Sequence, residues 1–418
     1  MSNEKKADIV IVGGGAVGLF TAYYLTKSGA QVILVDQQRE QLSCSHGNAG
    51  LVVPSAYVPL AAPGMITKGL KWMLSSTSPF AIRPQLKLSF YSWLWQFMQN
   101  SSEEHVTRSL PLLYQLNQRG SELFDSFYAE EKLACDYQKL GHLVLCKSDK
   151  RFKDELETAA LGKPLGVEAI EWSKDQLAAE EPNIEIDTLR TVFYPGDSHM
   201  NPHKLIENLK LLLLDMGVVR VEGEVCSVQN RNKKVLTVLQ NGEEFHSNDV
   251  VISAGVWSDK LCQKLGIKLP LLPGKGYTLT MDNPSQQARR PIFFAEAKVV
   301  ATPMGDSLRF GGTLELGEMR LHINQARVKG IIESIPKYLP TFNMSQFKGI
   351  TPWCGLRPCS PDGLPYIGQC PPFKNIYIAT GHAMLGLSTG PVTGKIISDM
   401  IAGQQPEIDL TALAVDRF

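Results

Sequence analysis

Asp8-Ile-Val-Ile-Val-Gly-Gly-Gly-Ala-Val-Gly-Leu-Phe-Thr-Ala-Tyr-Tyr-Leu-Thr-Lys-Ser-Gly-Ala-Gln-Val-Ile-Leu-Val-Asp36 is the stretch whose reading decides the fold. Asp8–Val12 is a short apolar run of the kind buried on both faces of a parallel sheet, and Gln31–Asp36 is a second one. Between them Ala16–Ser28 has helical patterning and stops at Gly29. Strand, helix, strand in that order predicts the start of a doubly wound α/β sheet. The connecting turn fits the glycine pattern GxGxxG. Gly13 permits the tight turn, Gly15 lets a pyrophosphate approach the backbone, and Gly18 lets the helix pack on the strand. Ala16 and Val17 open the helix, whose free N–H groups and dipole favour phosphate. Asp36 ends the second strand about 20 residues on, where a carboxylate accepts ribose hydroxyls. A glycine turn alone is weak evidence, but in this context it predicts a dinucleotide site.

Further along, Glu103–Glu131 and Arg151–Ala179 have helical patterning, and Pro202–Met216 is an amphipathic helix closed by Gly217. Gly141–Cys146, Val218–Val225, Lys234–Leu239 and Asp249–Ser253 read as strands, with Asn241-Gly242 as a hairpin turn. Tyr277–Met281, Lys298–Thr302 and Ser307–Gly311 suggest an antiparallel sheet. Asn324–Ser334 is helical, and Asn375–Ala379 leads through a Gly-rich turn into the helix Pro391–Ala402. The α/β pattern returns near the middle and at the end of the chain. A discontinuous nucleotide domain over 1–60, 196–266 and 352–418 is therefore expected. An α+β antiparallel-sheet substrate domain is expected over 61–195 and 267–351.

Lys+Arg and Asp+Glu both number 42 in the 418 residues, so charge makes no case for nucleic acid as a partner. The eight cysteines are scattered without paired spacing, which fits reduced thiols better than disulfides or zinc. No metal-ligand cluster, HExxH or Ser-His-Asp set is apparent. The N-terminus does not read as a signal peptide, and no apolar run of about 18 residues suggests a membrane span. From Gln41 to Ser102 there is no Asp or Glu, while Lys68, Lys71, Arg83, Lys87, Trp72, Trp93 and Trp95 all fall there. Basic residues with interfacial aromatics suit an anionic bilayer surface, and an apolar lid or inter-domain face is the competing reading.

Trp353-Cys-Gly-Leu-Arg-Pro-Cys-Ser-Pro-Asp-Gly-Leu-Pro-Tyr-Ile-Gly368 resembles the WxGxRPxxPDGxPxIG block of the D-amino-acid oxidase superfamily. Ser45-His-Gly-Asn-Ala-Gly-Leu-Val-Val-Pro54, Ala62-Pro-Gly64, Gly274-Lys-Gly-Tyr277 and Thr380-Gly-His-Ala-Met-Leu-Gly386 are similar to segments of its bacterial membrane-associated D-amino-acid dehydrogenases, in the same order. His46 departs from that group's usual SF(G/A)NAG. Asp249–Ser258 and Ile376–Gly390 are similar to the strand-turn segments that pass close to FAD in such proteins, which separates FAD from NAD. The resemblance implies noncovalent FAD in a glutathione-reductase-like domain. It implies contacts from Gly13, Gly15, Ala16, Val17, Gly18, Asp36, Gln37, Ser45, His46, Gly47, Asn48, Ala49, Gly50, Leu51, Val225, Ala254, Gly255, Trp257, Gly381, Gly386, Leu387 and Ser388.

The same resemblance implies oxidative deamination of a free D-amino acid, D-proline or its hydroxy form among the candidates, by hydride transfer from the α-carbon to flavin N5. Electrons would pass to a quinone-linked acceptor at the cytoplasmic face of the inner membrane. Arg357 matches the family's carboxylate-binding arginine, since a guanidinium fixes a carboxylate's direction as well as its charge; a structural ion pair with Asp362 is the alternative. Tyr277 and His382 are the other candidate catalytic residues, each balanced against a packing role. His46 could carry a covalent flavin link but reads better as a polar turn residue. Glu315 could meet the substrate amine but reads better as a solvated strand carboxylate. An O₂-using amine oxidase of the glycine/sarcosine type and a non-catalytic flavin-holding relay subunit are the competing functions.

Overall fold

The computed structural model describes residues 5–37, 43–64, 77–231 and 234–418. Met65–Leu74, with Trp72, Lys68 and Lys71, lies outside the described residues. Two sheets organise the chain. In the first, of eight strands, Lys5–Val12 lies between Val32–Asp36 and Glu244–Ile252, parallel to both. Val219–Glu222 extends it beyond Val32–Asp36, and Ile376–Thr380 runs parallel beside the end of Glu244–Ile252. Val225–Arg231, Lys234–Leu239 and Tyr366–Gln369 are antiparallel. Gly242 turns the Lys234–Leu239/Glu244–Ile252 hairpin with φ +85°. Val32–Val35 is buried throughout, as a parallel strand covered on both faces must be. This is the α/β nucleotide-binding architecture the sequence predicted.

The helix Ala16–Lys27 covers that sheet beside Gly390–Ile401. They approach so closely that a Cβ on Gly394 would lie 2.6 Å from the Phe20 backbone. The helix Glu103–Glu131 packs on the same layer, its Ser102 cap accepting from His105 N–H. Leu113, Leu116, Phe124 and Phe127 join Leu19 and Phe20 in one core, with the Phe20 and Phe124 rings edge to face at 5.2 Å. This helix falls in the stretch expected to build the substrate domain, so 61–195 serves both domains.

The second sheet has nine strands. Trp353–Cys359 is the outermost, followed by Leu272–Asp282, Ser307–Leu316, Val299–Met304, Ile292–Phe294, His142–Cys146, Arg190–Tyr194 and Ile170–Trp172; Phe80–Ile82 pairs with Ser307–Leu316. The boundary expected at 352 therefore falls early: the chain returns to the first sheet at Tyr366. The helical pattern expected over Arg151–Ala179 is broken into Asp149–Gly162 and Lys174–Glu180 around the strand Ile170–Trp172, because Pro164 and Gly166 (φ +89°) end the first helix. The strand expected over Val218–Val225 is two strands parted at Gly223, where a Cβ would meet Leu239 at 2.3 Å.

Candidate active site

A cavity of about 320 Å³ lies between the glycine turn and the ends of the parallel strands, the place where open α/β sheets bind ligands. Of the expected cofactor residues it is lined by Gly13, Gly15, Ala16, Val17, Asp36, Gln37, Ser45, Asn48, Val225, Ala254, Gly255, Trp257, Gly386 and Leu387. Gly13 has φ +111°, and a Cβ there would press to 2.5 Å on the Ser253 carbonyl. At Gly15, by contrast, an added Cβ would meet only Ser45 Oγ within 4 Å, at 3.3 Å. The open space there is what a pyrophosphate needs to reach the backbone. Gly14 N–H donates to Asp36 Oδ2 at 2.6 Å, so the glycine turn and the carboxylate expected to meet a ribose hold each other.

The other expected cofactor residues support these walls from behind. A Cβ on Gly18 would strike the Gly13 carbonyl at 1.9 Å, so it is the helix-packing glycine. The Trp353 ring lies over Gly47, Gly50 backs onto the Met200 carbonyl, and Gly381 abuts Tyr366. Leu51 pairs with His199. Ser388 Oγ donates to Asn117 and accepts from Val53 N–H. Ala49 sits where a Gly311 side chain would point. His46 does not line the cavity: its Nε2 lies 2.9 Å from Glu207, on the helix Pro202–Asp215. That orientation gives no support to a covalent flavin link.

Arg309 holds this loop, and nothing in its sequence neighbourhood announced it. Its Nη1 donates to the carbonyls of His46 (3.1 Å) and Asn48 (2.8 Å), and its Nε to Thr280 Oγ1. Burial lowers it to about 10, so it stays cationic at neutral pH. Cys44, Ser253 and Pro358 also line the cavity without having been singled out. Ser253 Oγ donates to the carbonyls of Val12 and Gly13, which fixes the turn.

Arg357 lies on the strand Trp353–Cys359, opposite Gly274. Its guanidinium covers Gly276, where a Cβ would come within 2.3 Å of it. Nη1 donates to the Thr313 carbonyl at 2.7 Å. Thr313 has φ +70° and sits at the irregularity in the Leu272–Asp282/Ser307–Leu316 ladder. Among the described residues no carboxylate pairs with Arg357. Asp362, the alternative partner, pairs with Arg417. Cys44, beside Arg357, has its thiol pushed up to about 12 by burial, so it adds no anion. Arg357 is flanked by the cavity residues Pro358 and Cys44 although it is not itself part of the lining.

His382 lines the cavity, with Nε2 3.0 Å from Thr393 Oγ1, and burial lowers it to about 3, so it is neutral. Tyr277 is elsewhere. Side chains alternate along a strand, and since Gly274 and Gly276 face with Arg357, Tyr277 faces the opposite side. There its hydroxyl donates to Glu315. Glu315 is 1% exposed rather than solvated, and it also accepts from Arg83 Nε and Asn324 Nδ2, both at 3.1 Å. Tyr277 and Glu315 thus form a buried network behind the sheet, away from Arg357. Among the described residues no group of three His, Cys, Asp or Glu could hold a metal, and no helix is long and apolar enough to cross a membrane.

Comparison with known proteins bears on this arrangement. The D-amino acid dehydrogenase of Xanthobacter autotrophicus is 30% identical, over 98% of this chain and 99% of its own. That of Granulibacter bethesdensis is 28% identical over the same shares. Among solved structures, glycine oxidase from Geobacillus kaustophilus matches with a TM-score of 0.78 at 19% identity, covering 99% of both chains. The FAD-bound L-α-glycerophosphate oxidase of Mycoplasma pneumoniae matches with 0.73 at 16%, covering 97% of both. With residues 8–400 matching the family model described as FAD dependent oxidoreductase, the chain belongs to the DAO family of FAD-dependent oxidoreductases.

Proposed function

We propose that the protein is a dehydrogenase of free D-amino acids. The observation that carries this is Arg357, a half-buried guanidinium beside the glycine-turn cavity, its pKa lowered by desolvation, with one backbone acceptor and no carboxylate partner among the described residues. Burying such a charge costs several kcal/mol, of order, unless an anion completes it, and the carboxylate of an amino acid is the right shape to do so. The two relatives named D-amino acid dehydrogenase, similar over nearly their whole length, support the choice of substrate class.

Bound FAD supplies a two-electron acceptor. Arg357 would hold the substrate carboxylate in two charge-assisted bonds and so orient the α-carbon. Thr313 steadies the guanidinium, and neutral His382 keeps the wall uncharged. The α-carbon loses its hydrogen with an electron pair and the amine loses a proton, leaving an imine. Water converts this to the 2-oxo acid and ammonia. D-proline and its hydroxy form are candidate substrates; their imine is cyclic and would release no ammonia.

The surface reading concerns the acceptor. On the helix Leu88–Asn100 the side chains of Leu88, Tyr91, Trp95 and Met98 form one stripe, and all are exposed, Leu88 by 89% and Trp95 by 61%. Leu86, Lys87 and Arg83 precede them. An apolar stripe with basic residues suits an anionic bilayer surface, in keeping with a quinone-linked acceptor at the inner face of a membrane. Anaerobic bleaching of the flavin, screened over D- and L-amino acids, tests the proposal. Bleaching by D-amino acids alone supports it, and bleaching by none of them rejects it. Stoichiometric peroxide in air would instead make the protein an oxidase like its glycine oxidase structural neighbours.

A further inference from the structure

The strand that carries Arg357 is the outermost of its sheet, paired on one side with Leu272–Asp282. An edge strand is free to shift unless other groups hold it. Among the described residues, three hydrogen bonds from outside the sheet reach this strand's backbone carbonyls. Cys44 Sγ donates to the Leu356 carbonyl at 2.6 Å, and Ala383 N–H to the Pro358 carbonyl at 3.0 Å. Both come from walls of the FAD cavity. The third comes from outside it: Trp93 Nε1 donates to the Cys359 carbonyl at 3.0 Å.

Trp93 is 2% exposed and stacks on Phe97 at 5.2 Å, on the inner face of the helix whose outer face is the exposed stripe. It sits in an apolar cluster with Phe80, Phe90, Leu314 and Cys359. Cys359 is two residues from Arg357 and shares its face of the strand. Gly274, opposite Arg357, leaves room there, since a Cβ would lie 2.7 Å from both Cys359 Sγ and Leu314 Cδ1. A hydrogen bond inside such a cluster is strong, and its loss leaves a buried carbonyl unpaired.

We propose that Trp93 is a positioning residue for the substrate site, fixing the end of the strand and hence the guanidinium of Arg357 relative to the flavin. The proposal rests on reading Arg357 as the carboxylate clamp. It links the surface helix to substrate affinity through one indole N–H.

The test uses FAD-loaded protein with Trp93→Phe, and a second form with benzothienylalanine at position 93, which keeps the bicyclic shape and lacks only the N–H. Benzoate, a carboxylate that cannot be oxidised, is titrated against the flavin absorption. Its Kd and the KM for a D-amino acid should rise roughly three- to tenfold, the effect of one buried hydrogen bond, with kcat nearly unchanged. A D-amino acid amide, which has no carboxylate for Arg357, should reduce the flavin as fast as in the wild type. Unchanged benzoate affinity in the benzothienylalanine form overturns the proposal, and so does an equal loss with the amide, which marks a merely structural role. If instead Arg357→Ala binds benzoate normally, it is the carboxylate-clamp reading that fails.

Discussion

Arg417 holds the carboxylate of Asp362, with Nε 2.7 Å from Oδ2 and Nη2 3.1 Å from Oδ1. The arginine five residues before Asp362 in the sequence therefore has to find its anion elsewhere. The guanidinium of Arg417 also lies 3.8 Å from the centre of the Tyr366 ring, so the C-terminal end of the chain locks this turn from outside. Among the described residues Arg357 is left with only the Thr313 carbonyl, beside the cavity residues Cys44 and Pro358.

Replacing Arg357 tests that arrangement. Two charge-assisted bonds in a sheltered site are worth on the order of 2–5 kcal/mol. Arg357→Ala should slow flavin reduction by a free D-amino acid more than tenfold, roughly 1.4 kcal/mol or greater. Arg357→Lys keeps charge but loses the fork and should fall between. Both should hold FAD, measured by absorbance of the purified protein. A difference below tenfold at matched FAD content means that the carboxylate is bound elsewhere.

Two glycines should separate binding from folding. Gly15→Val points its side chain into open cavity, so the protein should fold and purify without FAD. Gly13→Val has to place a side chain at φ +111° against the Ser253 carbonyl and should be insoluble or poorly folded. Yellow Gly15→Val protein with full flavin content would show the pyrophosphate to lie elsewhere.

The Tyr277–Glu315 pair should govern stability rather than catalysis. Burial pushes Glu315 upward, but hydrogen bonds from Tyr277 and Asn324 and the charge of Arg83 outweigh it and hold the carboxyl below its ordinary value. A depressed carboxylate contributes stability above its unfolded pKa of about 4.3, and that stability is lost as pH falls through the folded value. Tyr277→Phe should cost about 1–3 kcal/mol in urea denaturation at neutral pH and leave KM nearly unchanged. A large rise in KM would bring Tyr277 back to the substrate.

His382 gives a second titration of the same sign, set by burial alone. Burial holds it neutral down to about pH 3, whereas the unfolded imidazole protonates near 6.5. Between those values the unfolded state binds the extra proton, so stability falls as pH is lowered through this window. His382→Asn should flatten the dependence of the denaturation midpoint on pH from about 6.5 to 4. An equally steep dependence in the variant assigns the acid sensitivity to other groups.

For the surface stripe, Leu88, Tyr91, Trp95 and Met98 changed together to Ser should reduce binding to anionic liposomes in a flotation assay, with FAD content retained. A second variant, Lys87→Glu, should weaken binding chiefly at low salt, where charge is least screened. Wild-type protein that ignores anionic liposomes at low salt would make the stripe a face for some other contact.

The nucleotide half of the fold was legible in advance because its determinants are local. Gly13, Gly15, Gly18 and Asp36 lie within one strand-helix-strand unit, and their spacing carries the geometry. Arg357 and His382 were singled out by resemblance, as members of contiguous motifs. What could not be read was set by contacts between distant segments. Tyr277 and Arg357 fall on opposite faces of the sheet because of the strand register, and a one-residue difference in register reverses a side chain's direction. Arg309 reaches the loop at 46–48 from more than 260 positions away, and Trp93 meets Cys359 across 266. The helix Glu103–Glu131 has an apolar stripe in any reading, but only packing against Phe20 assigned it to the FAD-binding layer. Periodicity states that a face is buried; the partner it is buried against depends on how the whole chain closes.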